Sequence, residues 1–205
     1  MEQYRRAISF RAENAGCDRA GAAIVRGVSF GLSPGDGLQL FGPNGSGKSS
    51  LLSLFAGLIH PAEGMVRWHC EGVDSGKAPD DSVFFLGHEA SVKPALTAFE
   101  NLKFWTGVYS GGGVEQALEK LGAASFAHLR GGKLSAGQRR RVDLARAVLV
   151  QREVWLLDEP TAALDRDGVV LVRSLIDEHL TRGGIAIVAT HDDLGDGFKR
   201  LELAR

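Results

Sequence analysis

The chain of 205 residues carries 24 Lys plus Arg against 25 Asp plus Glu, which gives a formal net charge of -1. This balance offers no support for nucleic-acid binding, which usually leaves a basic footprint. The longest uncharged stretch, residues 49–62, contains a His and a Pro and is shorter than the ~18 apolar residues of a membrane span. Two cysteines cannot build a disulfide scaffold. We therefore expect a soluble, cytoplasmic protein whose unusual feature is its 27 glycines.

Apolar runs predict strands in the first and last parts of the chain. Residues 28–32 and 66–70 alternate as half-buried strands do. Four further runs are nearly continuous and suit parallel strands that are covered on both faces; they are residues 38–41, 83–86, 154–157 and 185–189. Helical patterns lie between the runs, from Lys48 to Leu58 and from Arg166 to Thr181. The alternation of strand and helix predicts an α/β fold with a mainly parallel sheet.

Residues 90–150 contain no convincing strand and predict a helical lobe. A capping box at residues 97–100 opens a helix that continues through Trp105. A second helix at residues 114–121 is closed by Gly122, and a third runs from Ser135 to Val150. We interpret the chain as a single domain, 1–205. Its α/β core comprises 1–89 and 151–205, and the helical subdomain at 90–150 is inserted into that core.

The run Gly42-Pro43-Asn44-Gly45-Ser46-Gly47-Lys48-Ser49 follows a predicted strand and opens a predicted helix. Glycines let backbone amides approach phosphate oxygens without Cβ collisions, and a helix N-terminus attracts anions. The Lys48 ammonium can reach the β- and γ-phosphates, and the Ser49 hydroxyl can ligate Mg²⁺. With the adjacent Ser50, this loop predicts a nucleotide phosphate site. The plain alternative is a glycine turn before a helix with an exposed Lys.

Two carboxylates, Asp158 and Glu159, follow the apolar run at 154–157. They come at the carboxyl end of a strand, where open α/β sheets bind ligands. Asp158 is suited to holding Mg²⁺ beside Ser49, and Glu159 to orienting or deprotonating the water that attacks the γ-phosphate. Such a pair alone is usually a solvated strand end, but the phosphate loop earlier in the chain favours the functional interpretation.

His191 follows the apolar strand at 185–189. A lone His more often caps a loop than binds a ligand. The predicted topology brings this one to the same sheet edge as Lys48 and Asp158. We expect it to donate a hydrogen bond to the γ-phosphate and to hold the attacking water in line.

Phosphate loops occur in kinases, GTPases, helicases and transport ATPases, so a further motif has to distinguish them. Leu134-Ser135-Ala136-Gly137-Gln138 precedes an Arg-rich helix. One interpretation is a capping box with Ser135 as N-cap and Gln138 at the third helical position. Another is a second anion site made of a hydroxyl group and open amides. The two interpretations are compatible.

With these motifs in this order, the chain resembles the ATP-binding subunits of ABC transporters over essentially its whole length. Residues 42–49 match that family's Walker A motif, 134–138 its signature, 154–159 its Walker B motif and His191 its switch histidine. Asp165 lies where the family has its D-loop. The resemblance implies a P-loop NTPase (ABC ATPase) core with an N-terminal antiparallel β part and an inserted helical lobe, and it implies hydrolysis of ATP with Mg²⁺.

The same resemblance implies an assembly. Two copies would pair head to tail with ATP at their interface, so that Ser135 and Gly137 of one subunit contact the γ-phosphate bound by Lys48 of the other. Asp165 would couple the two sites. The helical lobe would dock against integral-membrane transporter subunits.

Short blocks are also similar to the haem-exporter ATP-binding subunits of cytochrome c maturation. They are Leu86-Gly87-His88-Glu89, residues 96–102, the Ala-containing signature and Gly183-Gly184. This similarity implies haem-exporter permease partners and a location at the cytoplasmic face of the bacterial inner membrane. Alternatives are the ATPase of another ABC exporter, for lipid, drug or polysaccharide, and a soluble ABC ATPase without a transport role.

Three positions depart from the family's pattern. Glu89 stands where the loop that senses the γ-phosphate normally has Gln; its carboxylate can still ligate Mg²⁺ but adds negative charge near the phosphates. No aromatic residue that would stack on adenine lies around residues 17–19. Ala136 replaces the Gly that is more usual in the signature and slightly restricts close backbone approach.

Overall fold

The computed structural model describes residues 3–19, 22–79, 81–109 and 112–203, without the side chains of Arg19 and Tyr109. The strands in this part of the chain are β1 (Ile8–Arg19), β2 (Ala22–Leu32), β3 (Gly37–Phe41), β4 (Glu63–Cys70), β5 (Val73–Ser75), β6 (Val83–Leu86), β7 (Val154–Asp158), β8 (Ile185–Ala189) and β9 (Phe198–Glu202). They form a four-stranded sheet of order β2-β1-β4-β5 and a five-stranded sheet of order β6-β7-β8-β3-β9.

The helices are α1 (Lys48–Phe55), α2 (Ala98–Tyr109), α3 (Val114–Lys120), α4 (Ala136–Val150) and α5 (Arg166–Thr181), with short 3-10 helices at Ala124–Phe126 and Gly131–Lys133. Two compact units are present: one comprises Met1–Phe85, Arg152–Glu159 and Leu175–Arg205, and the other Leu86–Gln151 and Pro160–Ser174. The interpretation of the chain as one domain with a helical subdomain at 90–150 stays a prediction.

In the first unit, an aromatic cluster joins the antiparallel sheet to α1. The ring of Phe10 on β1 contacts the rings of Phe30, Phe55 and Trp68, with centroids 4.4–5.3 Å apart. The indole N–H of Trp68 donates a hydrogen bond to the Phe55 carbonyl over 3.2 Å. Because Phe55 ends α1, this packing holds the helix that follows the phosphate loop against the sheet.

The parallel sheet sets three strand ends side by side. Ala189 of β8 pairs with Asp158 of β7 on one side and with Leu40 of β3 on the other. All five residues of β7 and all five of β8 are buried, as their continuous apolar character predicts. The segments that continue from these strands therefore leave the sheet at one edge.

The second unit contains α2, α3 and α4, which pack against one another. The predicted capping box opens α2: the Thr97 hydroxyl accepts from the Glu100 N–H over 3.1 Å, and the Glu100 carboxylate accepts from the Thr97 N–H over 2.8 Å. Arg146 on α4 places its guanidinium 4.1 Å from the ring centre of Trp105 and pairs with the buried carboxylate of Asp143. These contacts join α2 to α4.

The fold adds three strands to the predicted set, namely β1, β5 and β9. In β1, small alanines occupy two of the buried positions, Ala12 and Ala15, so its apolar alternation is faint. In β9, Phe198 is buried beside exposed Lys199 and Arg200. The helix predicted to reach Leu58 ends at Phe55, since the chain enters a left-handed turn at Gly57, where φ is +72°.

His179 is a buried packing residue between two aromatic rings. It stacks on Trp155, with centroids 4.1 Å apart, and meets the edge of Tyr4. Its Nε2–H donates to the Ile185 carbonyl over 3.0 Å, and its Nδ1 accepts from the Tyr4 hydroxyl over 2.8 Å, which is the pattern of a neutral imidazole. Burial lowers the pKa of His179 from its ordinary 6.5 to about 3.

This pKa shift predicts a pH-dependent stability. Since the folded pKa of His179 lies below the unfolded value, its contribution is complete above pH 6.5. It is lost as the pH falls, because the unfolded chain then binds a proton that the folded chain excludes. We expect His179 to lower the free energy of unfolding by up to about 1.4 kcal/mol per pH unit between pH 6 and pH 4.5. Urea denaturation of His179→Gln should show a flatter profile in that range.

His60→Gln serves as the control, since His60 is exposed. It should keep the slope of the unmodified chain. A His179→Gln profile as steep as that of the control would contradict the assignment.

Candidate nucleotide-binding site

The predicted phosphate loop joins β3 to α1, and its backbone has the conformation that the glycines allow. Gly47, with φ +97°, is the N-cap of α1 and supplies no side-chain cap. A Cβ on Gly47 would lie 2.4 Å from Cγ2 of Val25, whereas a Cβ on Gly45, with φ +82°, would meet no described atom within 4 Å. The loop is thus packed on one side and open on the other. The first amides of α1 have no capping side chain, as an anion site requires.

The other predicted loop residues differ in exposure. Pro43, Asn44 and Ser49 are exposed, Gly42 and Ser50 are half-buried, and Ser46 is buried. The Ser46 N–H donates to the Pro43 carbonyl over 3.1 Å. Its hydroxyl oxygen is buried and has no hydrogen-bond partner among the described residues.

Lys48 carries a buried positive charge that has no countercharge among the described residues. Its side chain is 7 % exposed, and its ammonium donates to the Gly42 carbonyl over 2.7 Å and to the Pro43 carbonyl over 3.4 Å. Within the described ranges, no carboxylate lies at ion-pair distance from it. A buried ammonium that donates to two neutral carbonyl groups and pairs with no described carboxylate favours an incoming anion.

The structure brings four predicted residues together at the edge of the parallel sheet. The Nε2 atom of His191 lies 3.1 Å from Oδ1 of Asn44, 3.5 Å from Oε1 of Glu159 and 3.5 Å from the Lys48 ammonium. Two of these neighbours are oxygen acceptors, so a proton on Nε2 can be donated to either of them. His191 is exposed.

The backbone at Glu159 is held in an unusual conformation. Its φ is +48°, in the left-handed region, and its N–H donates to the Ala189 carbonyl over 2.7 Å. Non-glycine residues seldom adopt this φ, and such conformations concentrate at functional sites. The positive φ ends the extended conformation of β7 at Glu159, whose carboxylate lies near His191.

Asp158 lies at the last position of β7 and is 4 % exposed. In the described part of the chain its carboxylate has no hydrogen-bond or ion-pair partner. No three His, Cys, Asp or Glu side chains cluster as a metal site among the described residues. A cation here would therefore share its ligands with a bound nucleotide, as Mg²⁺ commonly does. The oxygen chemistry of Asp158 and Ser49 fits that ion.

The signature residues form the predicted capping box at the start of α4. The Ser135 hydroxyl accepts from the Gln138 N–H over 3.1 Å, and the Gln138 side chain accepts from the Ser135 N–H over 2.9 Å. A Cβ on Gly137 would lie only 2.6 Å from the carbonyl oxygen of Ala163. Packing within the chain therefore favours glycine at this position, independently of any ligand. The roles of Ser135 and Gly137 toward a partner's nucleotide stay predictions.

Glu89 lies in a loop that α4 holds. Arg140 donates to the carbonyl oxygens of residues 87–88 over 3.0 and 2.6 Å, and the Asp143 carboxylate accepts from the Ser91 N–H over 3.1 Å. The Glu89 side chain itself is exposed. Its role as a magnesium ligand stays a prediction, while its loop is anchored by main-chain contacts that the sequence patterns do not predict.

Asp165 has a local function that the sequence interpretation missed. Its carboxylate accepts from the Gly168 N–H over 2.8 Å, which caps α5, and pairs with Arg141 over 2.9 Å. The backbone N–H of Gly168 and the Arg141 guanidinium lower the pKa of this carboxyl. An Asp directly before a predicted helix is the N-cap signal that would have identified this contact. Its coupling role between two subunits stays a prediction.

Within the part of the chain that the structure describes, no helix combines the length and the apolar character needed to cross a membrane.

Comparison with known proteins gives relatives over nearly the whole chain. The cytochrome c biogenesis ATP-binding export protein CcmA of Paramagnetospirillum magneticum is 42 % identical over 95 % of this chain and 94 % of its own length. CcmA of Agrobacterium fabrum is 43 % identical over 92 % of this chain and 91 % of its own.

Solved structures agree with the sequence comparison. An ABC transporter ATP-binding protein from Pyrococcus furiosus superposes with a TM-score of 0.84 at 26 % identity, covering 95 % of this chain and 97 % of its own. The fold is shared with a dimeric ATP-binding cassette in a post-hydrolysis state bound to ADP and Pi, with a TM-score of 0.77, 24 % identity and coverages of 96 % and 97 %. Residues 25–162 match the family described as ABC transporter. The chain therefore belongs to the ABC transporter family and, within it, to the group of CcmA ATP-binding proteins.

Proposed function

We propose that the chain is the ATP-binding and ATP-hydrolysing subunit of the haem export system of cytochrome c biogenesis. The observation that carries the hydrolytic part is the grouping of Asn44, Lys48 and Glu159 around Nε2 of His191, at 3.1–3.5 Å. The CcmA names of the relatives support the transport part. ATP binding and hydrolysis are the common activity of the family.

The phosphate loop binds the substrate by charge. The Lys48 ammonium exchanges the Gly42 and Pro43 carbonyl groups for β- and γ-phosphate oxygens, which gives the buried charge its missing partner. The open amides at the start of α1 add hydrogen bonds and the favourable helix dipole. These fixed donors also stabilise the charge that develops as the γ-phosphoryl group is transferred.

Glu159 and His191 act on the attacking water. The Glu159 carboxylate accepts the proton as the water oxygen bonds to the γ-phosphorus, and the bond from that phosphorus to the bridging oxygen breaks. Nε2–H of His191, near Asn44 and Glu159 before substrate binds, donates to a γ-phosphate oxygen and keeps the water in line. The products are ADP and inorganic phosphate.

Ser49 and Asp158 are the residues we assign to Mg²⁺, with Glu89 as a third candidate ligand. The bound ion neutralises charge on the β- and γ-phosphate oxygens. The hydroxyl of the exposed Ser49 and the Asp158 carboxylate, which has no partner in the described part of the chain, would supply the hard oxygen ligands that Mg²⁺ prefers.

The assembly we propose is a head-to-tail dimer that binds two ATP molecules between its subunits. In its capping box the Ser135 hydroxyl accepts a hydrogen bond and keeps its own proton. That proton and the amide of Gly137 are the donors we assign to the γ-phosphate held by the partner copy, with Asp165 joining the two sites. The helical lobe would contact the membrane permease subunits, at the cytoplasmic face of the bacterial inner membrane.

Lys48→Met separates binding from folding. We expect the affinity for ATP to fall at least about thirtyfold, because a desolvated charge contact is lost. The free energy of unfolding without nucleotide should not fall, since an uncompensated buried charge is removed. Thermal unfolding with and without ATP measures both quantities. Lys199→Met is the matched control, because Lys199 pairs with Asp36 on the surface over 2.7 Å, and it should keep the ATP-dependent shift.

Glu159→Gln separates binding from chemistry. We expect ATP to bind and the dimer to accumulate, while phosphate release slows about a hundredfold or more because the proton acceptor is gone. Light scattering with ATP measures the dimer, and a phosphate assay measures turnover. Glu71→Gln, on an exposed turn, is the control. Normal turnover in Glu159→Gln would refute the assignment of this carboxylate.

Co-purification tests the transport system. The chain, tagged and expressed from its native locus, is recovered from detergent-solubilised membranes, and its partners are identified by mass spectrometry. We expect integral-membrane subunits of a haem-handling system. Stable association with an unrelated permease, for lipid, drug or polysaccharide, would refute the haem assignment and leave the ATPase intact.

A further inference from the structure

A polar residue lies where the sequence pattern predicts only core. Gln39 is in the middle of β3, between the buried Leu38 and Leu40, and is itself 0 % exposed. A buried amide costs free energy unless its donor and acceptor are both paired. The pairing of Gln39 is therefore informative about its role.

Both ends of the Gln39 amide bind one loop, the segment directly after His191. Its Nε2 donates to the Asp192 carbonyl over 2.5 Å, and its Oε1 accepts from the Leu194 N–H over 3.3 Å. The Gln39 amide thus hydrogen-bonds the backbone at both ends of the turn at residues 192–194. It belongs to the strand that leads into the phosphate loop.

Two further contacts tie down the same loop. The Asp192 N–H donates to the Thr190 hydroxyl over 3.2 Å. The Asp193 carboxylate pairs with Arg200 over 2.6 Å, and Arg200 is the residue that stands opposite Gln39 in the β3–β9 pairing. Neighbouring positions of adjacent strands therefore hold consecutive residues of the loop.

The His191 ring depends on this loop for its position. It is exposed, and its Nε2 contacts Asn44, Lys48 and Glu159 at 3.1–3.5 Å, distances at which small backbone shifts matter. A misplacement of about 1 Å in a catalytic group can cost a hundredfold in rate. A buried tether beneath the loop limits such displacement.

We propose that Gln39 is a positioning residue that holds His191 at the γ-phosphate by clamping the backbone of residues 192–194. The proposal rests on the proposed function, because it takes His191 as a group that touches the γ-phosphate. Gln39 itself contacts no substrate. Its effect reaches the reaction through the loop and through the His191 ring.

Gln39→Met tests the clamp in the full chain. Methionine has a similar length and no amide, so packing is kept while the Asp192 carbonyl and the Leu194 N–H lose their hydrogen bonds to Gln39. We expect kcat for ATP hydrolysis to fall about tenfold or more, and the affinity for ATP to change less than about twofold because the phosphate loop is untouched.

Ser82→Ala is the matched control for loss of a buried hydrogen bond. Ser82 is also 0 % exposed and its hydroxyl donates to the Pro79 carbonyl over 2.7 Å. It should lower thermal stability without lowering kcat. If Gln39→Met lowers kcat no more than Ser82→Ala does, the clamp is refuted. Should Gln39→Met not fold, Gln39→Glu keeps the acceptor for Leu194, loses the donor to Asp192, and is expected to show the same fall in kcat.

A double-mutant cycle with His191→Ala identifies the route. If Gln39 acts through His191, Gln39→Met has no further effect on kcat in the His191→Ala background. If Gln39→Met lowers kcat by the same factor with His191 and with His191→Ala, the inference is overturned, while the role proposed for His191 stands. Normal turnover of His191→Ala alone overturns the proposed function at this residue, and the inference with it, so the two failures are distinguishable.

Discussion

The register of three parallel strands is the constraint on which the site depends. Asp158, Ala189 and Leu40 stand side by side on β7, β8 and β3, so Glu159, His191 and the phosphate loop, to which we assign the chemistry, all follow within a few residues of these paired positions. A slip of one residue in either pairing would move an emerging segment by about 3.3 Å and turn its side chains to the opposite face of the sheet. Continuous burial of β7 and β8 makes such a slip costly.

Charge is the second property that organises the site. The phosphate loop holds an ammonium that donates to two neutral carbonyl groups, while the end of β7 holds a carboxylate that has no partner among the described residues. Under the proposed function, each is unfavourable alone and would be compensated when a nucleotide and its cation arrive together. Substrate binding would then complete the electrostatics of a site whose backbone is already formed, and loss of the γ-phosphate would remove part of that compensation.

The phosphate loop and the carboxylate pair are predictable from sequence because each is a local motif whose geometry follows from a strand that ends. Contacts between segments distant in the chain are less accessible. His191 is predictable at the sheet edge, yet its approach to Asn44 depends on how two loops fold over that edge. Gln39 has one signal in the sequence, a polar residue inside an apolar run, and its partners are backbone atoms that no residue pattern encodes.

Among strands and helix caps, too, local patterns are predictable from sequence and long-range contacts are not. The strands of the parallel sheet at 154–157 and 185–189 are recognisable because both of their faces are buried, whereas β1 uses alanine at two buried positions and its alternation is faint. The capping box at Ser135 is legible because its partner is three residues away. The contacts predicted for Ser135 and Gly137 are with phosphate held by a second copy of the chain. Patterns within a single chain do not encode such intermolecular contacts.

The close approach of Gly137 to the Ala163 carbonyl links two segments of the chain. The signature turn and the segment before Asp165 touch through main-chain atoms, with no side chain between them to absorb a change. A substitution at Gly137 would therefore push on the backbone that carries Asp165, whatever the new side chain is. The positions of the signature turn and of Asp165 are therefore mechanically linked within one chain.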